Sequence, residues 1–264
     1  MKIVTNSTEL VSGCAFVPTM GALHAGHASL FKVAKEFNEI VVASIFVNPL
    51  QFENAEDLAK YPRTPDRDIE LAAASGVTHL WLPNQNEIYP AAPQVISAGD
   101  LGSIYEGASR QGHFDGVLTV VKRLFDLVKP LQAVFGEKDF QQLTLVKTIA
   151  GEIEIIAAPI AREPDGLAMS SRNVRLDESS RVKASVISRA LMTASKTNSL
   201  ESARKVLHEV LATEEGFIVD YAEIIDEKDF TKASPTTQKK RGIVAGWLNG
   251  VRLLDNMQMN IGGE

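Results

Sequence analysis

The sequence has a single cysteine, Cys14, in 264 residues. An intrachain disulfide and a multi-cysteine metal site are therefore excluded, and a reducing compartment, the cytoplasm, is expected. Long apolar runs are missing too. The longest, Ile40 to Val47, falls far short of the roughly 20 residues that a membrane-spanning helix needs. The opening residues, MKIVTNSTEL, lack the apolar stretch of a signal peptide. Positive charge is scarce, with 27 Lys and Arg against 33 Asp and Glu and a net charge of -6. Wholesale electrostatic binding to nucleic acid or to an anionic membrane is thus not expected. A chain of this balance that handles a polyphosphate must gather its few useful cations in one place. Gly and Pro are not in excess, and there is no internal repeat or low-complexity tract. With 45% apolar and 23% charged residues, the chain can bury one large core or two modest ones.

The first half alternates short apolar runs with helix-period segments. Ala15–Pro18 reads as a buried strand, and His27–Phe37 as a helix with Leu30, Val33, Ala34 and Phe37 on one side. The β-branched run Glu39–Val47 is a second strand. Thr64 and Pro65 form an N-cap and first-turn pair for a helix running to about Ser75, which Gly76 ends. Thr78–Leu82 follows as a strand. Asp115–Val128 is amphipathic and stops before Pro130. Strands at Ala133–Phe135 and Ile153–Ile156 flank a helix from about Gln141 to Ala150. Such alternation predicts an α/β fold, a parallel sheet covered on both faces. After Arg162 the pattern changes to helical stretches at Glu178–Lys196 and Leu200–Ala212, then strands at Ile218–Ile225 and Ile243–Leu248. Asn249-Gly250 precedes Val251–Leu254 and suits a type I′ hairpin turn. A smaller antiparallel α+β unit is expected there, with a boundary near Ile160. The Lys239-Lys240-Arg241 run reads as a solvated loop.

The segment Val17–Leu30, VPTMGALHAGHASL, carries the most chemistry. A strand ends at Pro18, a turn through Met20-Gly21-Ala22 follows, and His24-Ala25-Gly26-His27 opens a helix. The spacing sets both imidazoles on one helix face, at the end where unpaired backbone N–H groups and the helix dipole attract anions. Gly21 and Gly26 allow a ligand close to the backbone. Neutral or protonated, the imidazoles there can hydrogen-bond phosphate oxygens as charge builds at phosphorus. The competing readings are a metal pair or two incidental histidines. Zinc would want a third ligand, and His79, His113 and His208 are scattered.

A second cluster, Phe135–Leu143 (FGEKDFQQL), sets Gly136, Glu137, Lys138 and Asp139 in a strand-to-helix turn, where α/β sheets present ligand-binding groups. Lys138 suits a phosphate; an ordinary exposed loop is the plainer reading. The third, Met169-Ser170-Ser171-Arg172, offers two hydroxyls and a guanidinium fork, or simply a helix cap.

Taken in order, PTMGALHAGH, IFVNPLQF, YPRTPDRD, EGASRQGHFDGVLTVV, FGEKDFQQL and GLAMSSRN closely resemble the pantothenate synthetase (pantoate–β-alanine ligase) family over about Phe16 to Arg175. The resemblance implies that ATP and (R)-pantoate give pantoyl adenylate and pyrophosphate, and that β-alanine then displaces AMP. It implies a Rossmann-like catalytic domain over residues 1–160 that binds ATP and pantoate. A smaller C-terminal lid over residues 161–264 and a homodimer are also implied. By the same resemblance His24 and His27 contact ATP, with His27 the usual proton donor, and Met20, Gly21, Ala22, Leu23, Ala25 and Gly26 complete that turn. Gly136 to Asp139, Ala161, and Met169 to Arg172 match further ATP contacts, with Lys138 and Arg172 counted among the catalytic groups. Gln51, Asn48 and Gln142 match substrate contacts. Each glutamine is expected to offer both a donor and an acceptor to pantoate. Magnesium would arrive with ATP, with no protein ligand assigned. Departures are the short leader before the first strand, which leaves the covering of that sheet edge unassigned, Gln111 in a loop expected to be more mobile around Arg110 and His113, and Ala161 in place of valine.

Three other readings share parts of this pattern. A different adenylyl transferase would keep the histidine turn without needing the carboxamides of Asn48, Gln51 and Gln142. An aminoacyl-tRNA synthetase fragment would want an RNA-binding appendage and a less acidic chain. A non-enzymatic nucleotide sensor has no reason to keep both histidines, Lys138 and Arg172.

Overall fold

The computed structural model describes residues 1–52 and 55–261. The chain forms two compact units, Met1–Ile160 and Ala161–Glu264; residues 262–264 of the expected C-terminal domain lie outside the described residues.

The first unit is built on six parallel strands: β1 (Lys2–Val4), β2 (Ala15–Thr19), β3 (Val41–Ile45), β4 (His79–Trp81), β5 (Gln132–Gly136) and β6 (Glu154–Ala158). They lie in the order β1-β4-β3-β2-β5-β6. Its helices are α1 (Ala25–Phe37), α2 (Ala55–Lys60), α3 (Pro65–Ala74), α4 (Gln85–Ile88), α5 (Glu106–Ser109), α6 (His113–Val128) and α7 (Phe140–Ile149).

Side-chain alternation along the strands divides the core in two. Phe16, Val42, Trp81, Ala133 and Phe135 join Val117, Leu118, Val121 and Leu124 of α6 and Leu143 of α7 on one face. On the other, Ala15, Val17, Val41, Ala43, Leu80 and Val134 join Phe31 and Ala34 of α1 and Ala72 of α3. The central strands are buried on both faces, which is why they read as continuous apolar runs. Successive connections run outward from β2 in opposite directions, through β3 on one side and to β5 on the other. The C-terminal ends of β2, β3 and β5 thus surround the topological switch point, where such sheets bind ligands.

Three differences from the sequence expectation have physical causes. Lys2–Val4 is itself the edge strand, registered Lys2↔His79 to Val4↔Trp81. Three residues, of which only Val4 is buried, carry too little periodicity to be read as a strand. Thr64 precedes α3 with Pro65 at its first position but makes no side-chain cap. Its hydroxyl instead donates to the buried Asp68 carboxylate, 2.9 Å away. Helix α6 starts at His113, inside the segment expected to be a loop.

The second unit contains α8 (Glu178–Lys183), α9 (Val186–Ala194) and α10 (Leu200–Leu211), with an antiparallel sheet of β7 (Phe217–Asp226), β8 (Lys240–Leu248) and β9 (Val251–Met259). The expected single helix over 178–196 is interrupted at Ala184–Ser185. Lys240 and Arg241 begin β8 and are buried rather than solvated: Arg241 pairs with Glu227 at 2.7 Å and bonds Asn256 at 2.6 Å. At the β8–β9 turn Asn249 and Gly250 have φ of 48° and 73°, the two positive values that a type I′ turn requires.

Among the described residues no helix is long and apolar enough to cross a membrane. Cys14 is fully buried, and burial pushes its thiol up to about 12. A native sample treated with a chromogenic disulfide reagent at pH 8 should therefore release no chromophore, whereas the urea-unfolded chain should release one equivalent. Ready reaction of the native thiol would contradict its burial.

Candidate active site

Helix α1 opens with a reciprocal cap made by the two histidines. His24 is the N-cap, and its Nδ1 accepts from the backbone N–H of Gly26 at 3.1 Å. His27 Nδ1 accepts from the backbone N–H of His24 at 3.2 Å. The arrangement is a capping box in imidazole form. A backbone N–H can only donate, so each Nδ1 must present its lone pair, and each neutral ring carries its proton on Nε2. The rings stand 4.2 Å apart at 55°. Burial lowers His24 to about 4, with the nearby Lys138 cation adding to the effect and Asp139 opposing it. Burial, then His24, lower His27 to about 3. Both imidazoles are therefore uncharged at neutral pH, which closes the choice between neutral and protonated that the sequence leaves open.

The turn before the helix is held from outside. Asp68 on α3, 1% exposed, accepts from Ala22 N at 2.9 Å and Leu23 N at 2.7 Å, besides the Thr64 hydroxyl. Gly21 and Ala22 both adopt positive φ, 83° and 50°. A Cβ on Gly21 would meet both Asp68 and Ile45 at 3.0 Å, so glycine is required for conformation and for space. Gly21 N donates to Thr19 Oγ1 at 3.2 Å. His27 N donates to His24 O at 2.8 Å. From Gly21 to His27, the Ala25 N–H alone has no acceptor among the described residues. The expectation that free backbone amides await an anion here is thus corrected. Most are already spent, and the donors left are Ala25 N and the two Nε2–H groups.

Around that turn stand the other candidates of the first unit. Lys138 and Asp139 follow β5, with Lys138 Nζ 3.5 Å from Asp139 Oδ1 and the lysine only 18% exposed. Gly136 ends β5 and Glu137 starts the 3₁₀ turn between strand and helix. Gln51 ends a 3₁₀ turn after β3, and its Nε2 lies 3.0 Å from the Met20 sulfur. Its Oε1 accepts from Asn48 Nδ2 at 3.1 Å. One lone pair of the Gln51 carbonyl is thus engaged, and its amide meets only a weak sulfur acceptor.

Asn48 is 1% exposed and fully engaged. Its Nδ2 also donates to Gly116 O at 3.0 Å, and its Oδ1 accepts from Leu50 N at 3.3 Å and Tyr89 Oη at 2.9 Å. Gln142 is part-buried on α7, and no described residue hydrogen-bonds its carboxamide. Its neighbour Gln141 is buried and ties down the preceding loop through Leu101 O, Ile104 O and Glu106 N.

His113 was not singled out for chemistry by the sequence pattern. Arg110 donates to its Nε2 at 2.9 Å, so its Nδ1–H must donate to Gln51 O, also at 2.9 Å. Gly116, one turn on, lies so close to Leu50 that a Cβ would sit 2.2 Å from the Leu50 carbonyl oxygen. The Gln51 turn is clamped to α6. Asp68 likewise escaped notice, because a polar residue inside a helix pattern reads as its solvent face.

In the second unit Ala161 and Met169 are paired, Met169 N donating to Ala161 O at 2.9 Å. Arg162 braces this hairpin with two bonds to the buried Asp255, at 2.6 and 3.0 Å, and one to Gly166 O. Ser170 Oγ accepts from Arg172 N at 3.2 Å, and Ser171 and Arg172 are part-buried. Among the described residues no carboxylate pairs with the Arg172 guanidinium.

A histidine-capped helix and a lysine turn at the switch point of a parallel sheet define a nucleotide-binding α/β enzyme. A family model described as pantoate–β-alanine ligase matches residues 2–258. A pantothenate synthetase of Acidothermus cellulolyticus is 48% identical over 95% of this chain and 86% of its own length. A crystal structure of pantothenate synthetase from Thermus thermophilus superposes with a TM-score of 0.93 at 41% identity, covering 98% of this chain and 99% of that one. The Francisella tularensis pantoate–β-alanine ligase, described as complexed with β,γ-ATP and β-alanine, superposes at 0.79 with 34% identity over the whole of both chains. This chain belongs to the pantoate–β-alanine ligase family.

The lowered histidines fix a pH dependence. Between about pH 3 and 6.5 the unfolded chain binds more protons than the folded one, so stability rises with pH across that window and is lost on acidification below 6.5. His27→Gln keeps an acceptor for the His24 N–H but cannot titrate. Its urea midpoint should fall less than that of the wild type between pH 7 and pH 5. Parallel loss in the two proteins would show that folding leaves the His27 pKa where it stands in the unfolded chain.

Proposed function

We propose that the chain condenses (R)-pantoate with β-alanine in an ATP-dependent reaction through an enzyme-bound pantoyl adenylate. A pantoate carboxylate oxygen attacks the α-phosphorus of ATP, the α–β phosphoanhydride bond breaks, and pyrophosphate leaves. The β-alanine amine then attacks the acyl carbon, AMP departs, and the amine's proton goes to solvent. The observation that carries this reading is the pair of neutral Nε2–H donors beside Lys138 at the switch point.

Neutral imidazoles that resist protonation act by hydrogen-bonding the phosphate oxygens as charge develops, so His27 serves here as a hydrogen-bond donor rather than as a source of a proton. Lys138 supplies the fixed positive charge. Met20, Gly21, Ala22, Leu23, Ala25 and Gly26 shape the nucleotide turn, with Gly136, Glu137 and Asp139 beside it. Ala161, Met169, Ser170, Ser171 and Arg172 are assigned to the nucleotide as well, on a lid that excludes water from the adenylate. Gln51 and Gln142 take pantoate, and Asn48 aims Gln51.

Magnesium is proposed to travel with the triphosphate, since it is usually held by few protein carboxylates together with substrate phosphates. Among the described residues no group of three or more His, Cys, Asp and Glu is placed to hold a metal ion. Homodimerisation and a cytoplasmic location complete the proposal; a single buried thiol suits a reducing compartment.

Two measurements test this reading. With ATP, magnesium and pantoate but no β-alanine, the protein should exchange labelled pyrophosphate into ATP, and exchange that strictly requires β-alanine would defeat the two-step route. For the substrate site, Gln142→Leu leaves a pantoate hydroxyl without its partner at a cost of about 1–3 kcal/mol. Calorimetric titration should therefore show pantoate affinity down by roughly one order of magnitude and ATP affinity nearly unchanged. Equal pantoate affinity in both proteins removes Gln142 from the site.

A further inference from the structure

The Asp68 carboxylate occupies a place that phosphates usually take. Successive backbone N–H groups in a tight turn form an anion-binding concavity, and here the two from Ala22 and Leu23 both point at Asp68, at 2.9 and 2.7 Å. The residue comes from α3, 46 positions further along the chain than Ala22, and it is 1% exposed. Its Oδ1 is also held by Thr64 at 2.9 Å. The next residue along the turn, His24, is the N-cap whose Nδ1 and N–H set both imidazoles. Among the described residues no side chain but Asp68 binds the Ala22 and Leu23 amides, so the position of the helix start relative to Lys138 depends on it.

We infer that Asp68 is a positioning residue for adenylate formation. It fills the anion concavity of the turn with a resident carboxylate and thereby reserves the triphosphate for His24, His27 and Lys138. This rests on the proposed roles of those three residues. Two consequences follow from the geometry. The triphosphate is kept from binding one step too early in the turn, where its α-phosphorus would sit away from the histidines. The turn is also fixed before ATP arrives, so no substrate binding energy goes into ordering it.

Asp68→Asn tests the inference, because its amide places a donor against a backbone N–H while shape and size are kept. Displacement of reacting groups by about an ångström costs on the order of 100-fold in rate. Single-turnover adenylate formation should fall roughly 10- to 100-fold, with the KM for pantoate unchanged. Amide formation from preformed pantoyl adenylate and β-alanine should stay within about twofold of wild type. A merely structural residue would lower both half-reactions together, and that result, or adenylation within about threefold of wild type, overturns the inference. Thr64→Val covers the case in which Asp68→Asn does not fold. With unchanged melting it should slow adenylation by about threefold or more, and no slowing overturns the inference. Should the wild type itself show no pantoate-dependent pyrophosphate exchange, the failure belongs to the functional reading beneath it.

Discussion

A backbone N–H can only donate, and the whole site is arranged around that constraint. Two such groups at the start of α1 are satisfied by imidazole nitrogens rather than by the usual serine or aspartate oxygens. Satisfying them fixes the tautomer of both rings and sends both protons to Nε2. Burial then keeps the rings neutral, so the donors are ready without a prior proton transfer. An Asp cap would satisfy the same backbone but set a negative charge against the triphosphate. A Ser cap would leave nothing to reach it. Histidine caps the helix with one nitrogen and, in the proposed reaction, serves the ligand with the other, which would couple helix stability and phosphate recognition through one ring.

The layers behind that turn repeat the pattern of short polar links between distant segments. Asp68 ties α3 to the turn, Asn48 ties the β3 end to α6, and His113 ties α6 to the Gln51 carbonyl. Each link is buried and joins elements that follow different strands of the sheet. Because the strands are parallel, their C-terminal ends gather at one edge, and single side chains span the gaps between their loops. Orientation of Gln51 is thereby fixed by groups that need not touch substrate. In the smaller unit Arg162 and Asp255 play the equivalent part, holding the Ala161–Met169 hairpin against β9.

The parallel sheet was legible from its β-branched runs, and the histidine turn from its glycines and spacing, because burial on both faces and tight turns impose strong composition. The remaining contacts are proposed from the family resemblance. Polar residues whose partners lie far away in sequence were not legible. Asp68 sits in a helix pattern like any surface acid, and only the fold reveals that its carboxylate faces inward. Asn48 was read as a substrate contact, yet four protein bonds occupy its carboxamide. Lys2–Val4 was missed for a different reason: an edge strand of three residues owes its existence to pairing with β4, not to its own pattern.

The charge distribution explains why a chain of net charge -6 can serve a polyphosphate. Cationic histidines would bring attraction at the cost of desolvation, and the buried site rejects that option by holding both rings neutral. Permanent charge in the first unit's site comes instead from Lys138, partly offset by Asp139 at 3.5 Å. In the proposed reaction the histidines act through oriented N–H dipoles rather than through charge. Dipoles already aligned need no reorganisation as negative charge moves onto the leaving pyrophosphate.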